Sequence, residues 1–215
     1  MKMGSLQKSF GLMLAVLAAF AFSASANFIM NPGFETEDKN GVDDAKYWFD
    51  DDGIKGQRTD SVSMTGDWAM EVFDSGTWIP VSQWVDITDG EGNLIDAGGM
   101  EFEISAWALY TDPDFSRTGI LKAEFWGSGS KLGQEDTWFL NNNDPIDTWK
   151  QGVINATAPS GTNKIKLQFM NGTSGSGSIY FDDGNVSVVP EPATFAVLGI
   201  GALFMRRKKQ NYQIR

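Results

Sequence analysis

The chain of 215 residues has no cysteine and no histidine, and it carries only 17 basic residues against 28 acidic ones. Each shortage excludes something. Without cysteine there is no disulfide, so whatever folds is held by its apolar core or by a bound ion. Without histidine the commonest general base and zinc ligand is missing. Ser-His-Asp, Cys-His and histidine-based metal hydrolysis are therefore excluded. Long apolar runs are missing too. The two greasiest stretches, 10–22 and 193–205, are 13 residues each. A helix of that length spans roughly 20 Å, against a hydrocarbon core of about 30 Å.

Both short runs sit at the chain ends and have the flanks of targeting segments. At the N-terminus, Lys2 and Lys8 precede the run, and Ser23-Ala24-Ser25-Ala26 supplies the small residues of a cleavage site. Residues 1–26 read as a signal peptide, with Asn27 as the first residue after cleavage. At the C-terminus, Pro190-Glu191-Pro192 precedes the run, and Arg206-Arg207-Lys208-Lys209 follows it. The basic cluster would hold that end in the cytoplasm while the short helix inserts. A plain membrane anchor explains the helix and the basic cluster but not the Pro-Glu-Pro.

Those three parts, in that order, resemble a PEP-CTERM sorting signal over 189–215. The resemblance implies recognition by an exosortase, a membrane cysteine peptidase of Gram-negative bacteria that make exopolysaccharide. It further implies transient membrane insertion through the C-terminal helix, then release to, or attachment at, the cell surface.

Residues 27–188 remain as one domain. They hold 27 acidic and 10 basic residues, a net charge of −17. That balance argues against nucleic acid and anionic lipid as partners and suits neutral sugars, cations or basic surfaces. Short alternating runs separated by Gly, Asn, Asp and Pro clusters predict an all-β fold. The clearest are Met100–Ala108, Lys164–Phe169, Leu121–Trp126 and Val81–Ile87. Weaker ones are Trp68–Phe73, Gln151–Ala156 and Ser178–Phe181. Strands at this spacing predict a sandwich of two antiparallel sheets.

The motifs Asn31-Pro32-Gly33-Phe34-Glu35, Ser82-Gln83, Ile104-Ser105-Ala106-Trp107, Ala158-Pro159-Ser160-Gly161-Thr162 and Gly177-Ser178-Ile179-Tyr180-Phe181-Asp182-Asp183 resemble, in order, carbohydrate-binding modules of the family 4/9 type. The resemblance implies a galactose-binding-domain-like jelly roll. It also implies a structural calcium ion held by Glu35 and Asp182, with backbone oxygens of Gly33 and Trp68 and with Asp183 close by. Gly184 departs from the pattern, and a bulge there would re-aim Asp183.

Strand parity assigns Val81, Val85, Ile87, Met100, Phe102, Ile104, Leu121, Ala123 and Phe125 to a buried face. The opposite parity holds Trp84, Trp107 and Trp126, together with Glu103, Glu124 and Ser105. Indole faces stack on pyranose rings, and neighbouring carboxylates bind hydroxyls, so this set is the candidate sugar platform. The alternative is that a loop covers one or more of these tryptophans. No pair of carboxylates is marked out for glycoside hydrolysis. The reading is non-enzymatic: a surface or matrix protein that binds extracellular polysaccharide. Its alternatives are a structural component without sugar binding and a small polysaccharide-acting enzyme.

Overall fold

The structure is a computed structural model that describes residues 27–38, 41–50, 56–73, 80–172 and 176–190. The expected signal peptide, the expected C-terminal helix, and Glu191, Pro192, Arg206 and Arg207 lie outside the described residues.

The described chain is all strand and loop. In order the strands are β1 (Glu37–Asp38), β2 (Gly41–Ala45), β3 (Phe49–Asp50), β4 (Gly56–Thr59), β5 (Ala69–Val72), β6 (Val81–Asp86), β7 (Glu101–Leu109), β8 (Thr118–Gly127), β9 (Ser130–Asn141), β10 (Lys150–Thr157), β11 (Lys164–Asn171) and β12 (Ile179–Val188). Ten of them form two five-stranded antiparallel sheets, ordered β10-β7-β12-β5-β4 and β3-β6-β11-β8-β9. β1 and β2 make a small separate ribbon. This is the expected jelly-roll β-sandwich.

The alternation that predicts strands also fills the core. Val81, Val85, Phe102, Ile104, Leu121, Ala123 and Phe125 are buried between the sheets, and Met100 packs against them half-buried. An aromatic spine joins the layers. Phe169 of β11 stacks on Phe181 of β12 with centroids 4.8 Å apart, and Trp48 also stacks on Phe169, at 4.9 Å. Burying a side chain of this size contributes about 2–3 kcal/mol. At one edge Gly152 of β10 makes room for Phe139 of β9, because a Cβ there would stand 2.5 Å from the ring.

β9, the short β3 and β4, and the β1–β2 ribbon were not foreseen in the sequence. β9 is an edge strand whose first part faces solvent on both sides, so it has no alternation to read. Its hairpin with β8 turns through Ser128 and Gly129, both at positive φ, as a two-residue turn requires.

The described ends are sewn into the sandwich beside β12. The Asn27 side chain donates to the Gly184 carbonyl and accepts from the Val186 N–H. Phe28 N–H donates to the Val186 carbonyl, and Val189 N–H donates to that of Glu101. The expected bulge is present: Asp182 faces Trp107 and Asn185 faces Ser105, leaving two residues of β12 opposite one of β7. Asp183 takes a left-handed φ of 47° at that point.

Candidate functional site

The outer face of the β3-β6-β11-β8-β9 sheet gathers aromatic and charged side chains. Trp84 of β6 and Lys166 of β11 are register partners, as are Lys166 and Glu124 of β8, and Lys164 and Trp126. The indoles of Trp84 and Trp126 meet edge to face across β11, with centroids 5.3 Å apart and planes at 78°. Trp84 is 41% exposed. The two rings, Asp86, Lys164, Asn163 and the β8–β9 turn line an open groove of about 610 Å³.

Glu124 is the electrostatic centre of this face. Its Oε1 meets Lys122 Nζ at 2.8 Å and Lys131 Nζ at 3.5 Å, and its Oε2 accepts from Trp126 Nε1 at 3.1 Å. Burial alone would raise its pKa. The Lys122 hydrogen bond and charge, the indole N–H and Lys131 outweigh that and hold it below the ordinary glutamate value. Lys166 Nζ lies 5.6 Å from the ring centres of both Phe49 and Trp84. Beneath this face the Ser82 Oγ and Gln168 Oε1, on facing residues of β6 and β11, are buried without a hydrogen-bond partner.

The sequence grouped three tryptophans and two glutamates on one face, and the structure divides them. Trp84, Trp126 and Glu124 stand together. Trp107 and Glu103 belong to β7, which lies in the opposite sheet. Their parity is outward as expected, but they look out from the far side of the sandwich. Trp107 is half-buried there, between Gln151 and Asp182 in the register. Alternation tells in from out; it does not tell one sheet from the other.

Two aromatic residues absent from that grouping do share the face of Trp84 and Trp126. Phe49 is the register partner of Ser82 on edge strand β3. Trp138 of β9 faces Ile120 of β8, is 59% exposed, and donates its indole N–H to Asp136 Oδ2 at 2.6 Å. By strand spacing and rise it stands roughly 20 Å diagonally from Trp84. The signal for Trp138 was its offset from Asp136 and Gln134, hidden by two register shifts in β9.

The carboxylates expected to hold calcium converge at a second place. Asp182 is fully buried. Its Oδ2 accepts from Met64 N–H at 2.7 Å and Thr65 N–H at 3.2 Å, and its Oδ1 from Asp183 N–H at 2.7 Å. Glu35 Oε1 accepts from the Asp67 and Trp68 N–H groups at 3.0 and 3.1 Å. Thr65 Oγ1 donates to Asp183 Oδ1 at 2.8 Å. The carboxylates close around Gly33, where a Cβ would find Asp182 Oδ1 and Asp183 Oδ1 each at 3.4 Å. Burial pushes the Asp182 carboxyl up to about 6, against the three main-chain N–H groups that lower it, and the nearby Asp183 charge adds to the rise. Arg58 reaches the carbonyls of Phe34 and Glu35 and lies 3.7 Å over the Trp68 ring.

The donor chemistry fits a hard cation: three carboxylates, one of them buried and destabilised in its charged form. As they stand, no group of three acidic side chains among the described residues is placed to hold a metal ion. Main-chain N–H groups occupy both Asp182 oxygens and Glu35 Oε1, and the Thr65 hydroxyl occupies Asp183 Oδ1, so an ion would have to displace some of them.

Residues 188–209 match the PEP-CTERM protein-sorting motif. The chain therefore carries the address of an exported, cell-surface protein, and the described strands end where that motif begins. No curated protein matches the chain in sequence. Solved structures match it in fold. The chain is similar to the enzymatically active domain of tailspike protein 4 of bacteriophage CBA120, with a TM-score of 0.54 and 14% identity over 76% of this chain, but it spans only 21% of that chain. It is similar to a family 61 carbohydrate-binding module solved with β-1,4-galactotriose, with a TM-score of 0.54, 18% identity, and 77% of this chain and 100% of that one covered. The CBM22-1 xylan-binding domain of Paenibacillus barcinonensis Xyn10C matches with a TM-score of 0.52 at 13% identity, covering 78% of this chain and 97% of that one. At these identities the likeness is one of fold.

Proposed function

We propose that this protein is a non-catalytic carbohydrate-binding module, cut from its sorting tail by an exosortase and associated with extracellular polysaccharide at the cell surface. The observation that carries the reading is the Trp84–Trp126 pair, set edge to face over an open groove with Glu124 between lysines beside it. A pyranose offers an apolar C–H face to an exposed indole, and flanking carboxylate, amide and ammonium groups take its hydroxyls. The fold is shared with domains solved as sugar binders, which supports the reading without deciding it.

The test is a glycan array probed with the processed protein. Specific binding supports the module. Silence across the array overturns it and leaves a structural surface component. New reducing ends after incubation with polysaccharide would instead reveal an enzyme. Mass spectrometry of the native product checks the targeting segments: the expected product begins at Asn27 and lacks the basic C-terminus.

Calcium belongs to the same proposal as a structural ion at Glu35, Asp182 and Asp183, with main-chain oxygens of Gly33 and Trp68 as the remaining expected ligands. Bound there, it would tie the first loop of the domain to its last strand and supply the positive charge that buried Asp182 lacks. The support is the approach of all three side chains to the Gly33 position, from which an ion would have to draw them together. An unchanged melting temperature after chelation would remove the ion.

A further inference from the structure

The mature domain is acidic as a whole, yet its few basic residues are concentrated. Of the ten lysines and arginines between 27 and 188, four lie on the outer face that bears the tryptophan pair: Lys122, Lys131, Lys164 and Lys166. Two of these ammonium groups, from Lys122 and Lys131, share the single carboxylate of Glu124. A third, from buried Lys166, is held over the Phe49 and Trp84 rings.

Removing an ammonium group from water is costly unless an anion or an aromatic face compensates it. A site for uncharged sugar needs hydroxyl-binding groups, which amides and carboxylates supply more cheaply. On the groove itself Lys164 is paired with Asp86 at 3.0 Å, but beside it two lysines on the one carboxylate of Glu124 leave positive charge on this face, in a domain whose net charge is −17. The distribution, rather than the total, then decides the partner. At physiological salt the acidic remainder is screened beyond about 8 Å, whereas groups in contact are not.

Resting on the sugar-binding reading, we propose that the polymer this face takes is an acidic polysaccharide, one whose rings carry carboxylate groups. The ring faces stack on Trp84 and Trp126, and the ring carboxylates meet the lysines around Glu124. The overall charge of the sequence suits neutral sugars, cations or basic surfaces; the folded arrangement of lysines points to an anionic ligand.

The experiment compares polygalacturonate with its fully methyl-esterified form, which keeps the rings and removes the charge, alongside alginate and a set of neutral polysaccharides. The processed protein is run through gels containing each polymer, at low salt and at about 0.5 M salt. Retention by the charged polymers, at least about tenfold above the ester and falling with salt, is the expected result. Lys131 is an exposed side chain on an edge strand, so Lys131→Ala leaves the fold intact. It should weaken retention by the charged polymers by about threefold and retention by the ester by clearly less. Equal retention by both forms, or retention by neutral polymers alone, overturns the acidic ligand and leaves sugar binding standing. Retention by no polymer overturns both.

Discussion

The two outer faces of the sandwich are built alike and differ in what they hold. Each is the polar parity of strands whose other parity fills the core. On the β3-β6-β11-β8-β9 side, tryptophans from β6 and β8 touch each other across β11 and stand over lysines. On the other side, the register partners of Trp107 are Gln151 and Asp182, and no second tryptophan stands on β7, β10 or β12. Further along that side, Tyr180 is buried enough for its pKa to rise, and the charge of Glu71 adds to the rise. The difference teaches that outward parity alone does not bring tryptophans together; the sheet order decides which of them meet.

The sharpest way to break that contrast is to truncate each kind of tryptophan. Trp84→Ala with Trp126→Ala should reduce polysaccharide affinity by about 100-fold or more, the sum of two stacking anchors. Trp107→Ala should leave affinity within about twofold. Isothermal titration on a polymer identified by the array reads both. Equal losses for Trp84 and Trp107 would mean that the opposed faces are not functionally distinct.

Gly66 contrasts in kind with both faces, since only structure depends on it. It has a φ of 65°, and a Cβ there would stand 2.1 Å from Glu35 Oε1. Gly66→Ala should therefore destabilise the domain by about 2–3 kcal/mol while leaving the folded protein's sugar affinity unchanged. Denaturant unfolding measures the first and titration the second.

The carboxylate corner titrates in a defined direction. Asp182 has a folded pKa raised to about 6, above its ordinary value of 3.8. The folded state therefore holds this proton more tightly than the unfolded state. The resulting stability is fully present below about pH 3.8 and is lost as pH rises through about 6. In metal-free protein, Asp182→Asn should flatten that limb of the melting curve against pH. Calcium added at pH 7 should raise the melting temperature of the parent more than that of the variant. A limb unchanged by Asp182→Asn would assign the titration to another group.

Much of this molecule was legible in the chain itself. The alternation in β6, β7, β8 and β11 placed the core side chains correctly, because those strands are covered on one face only by the opposite sheet. The Asp182-Asp183-Gly184 departure placed the bulge. What stayed hidden depends on pairing between distant strands. Nothing local says that β7 pairs with β10 and β12, while β6 and β8 flank β11, so Trp107 and Trp126 looked equivalent. Edge strands hid for another reason. β9 buries little along its first half, so its composition answers to solvent rather than to a core, and β3 is only two residues long.

Trp138 is the direct consequence of that blindness and sets the finest test of the contrast between faces. It shares the outer face of Trp84 but stands three strands away, bonded to Asp136 and largely in solvent. Its distance from the tryptophan pair, roughly 20 Å by strand spacing and rise, is several sugar rings. A short oligosaccharide seated on Trp84 and Trp126 would not reach it, whereas a polymer lying diagonally across β11 and β8 would. Trp138→Ala should therefore weaken polymer binding by about threefold, as befits an exposed outlying contact, and leave binding of a disaccharide from the same polymer unchanged. If both ligands lose affinity equally, the two ends of the face act as one compact site. If neither does, the chain runs along the strands and never crosses to β9.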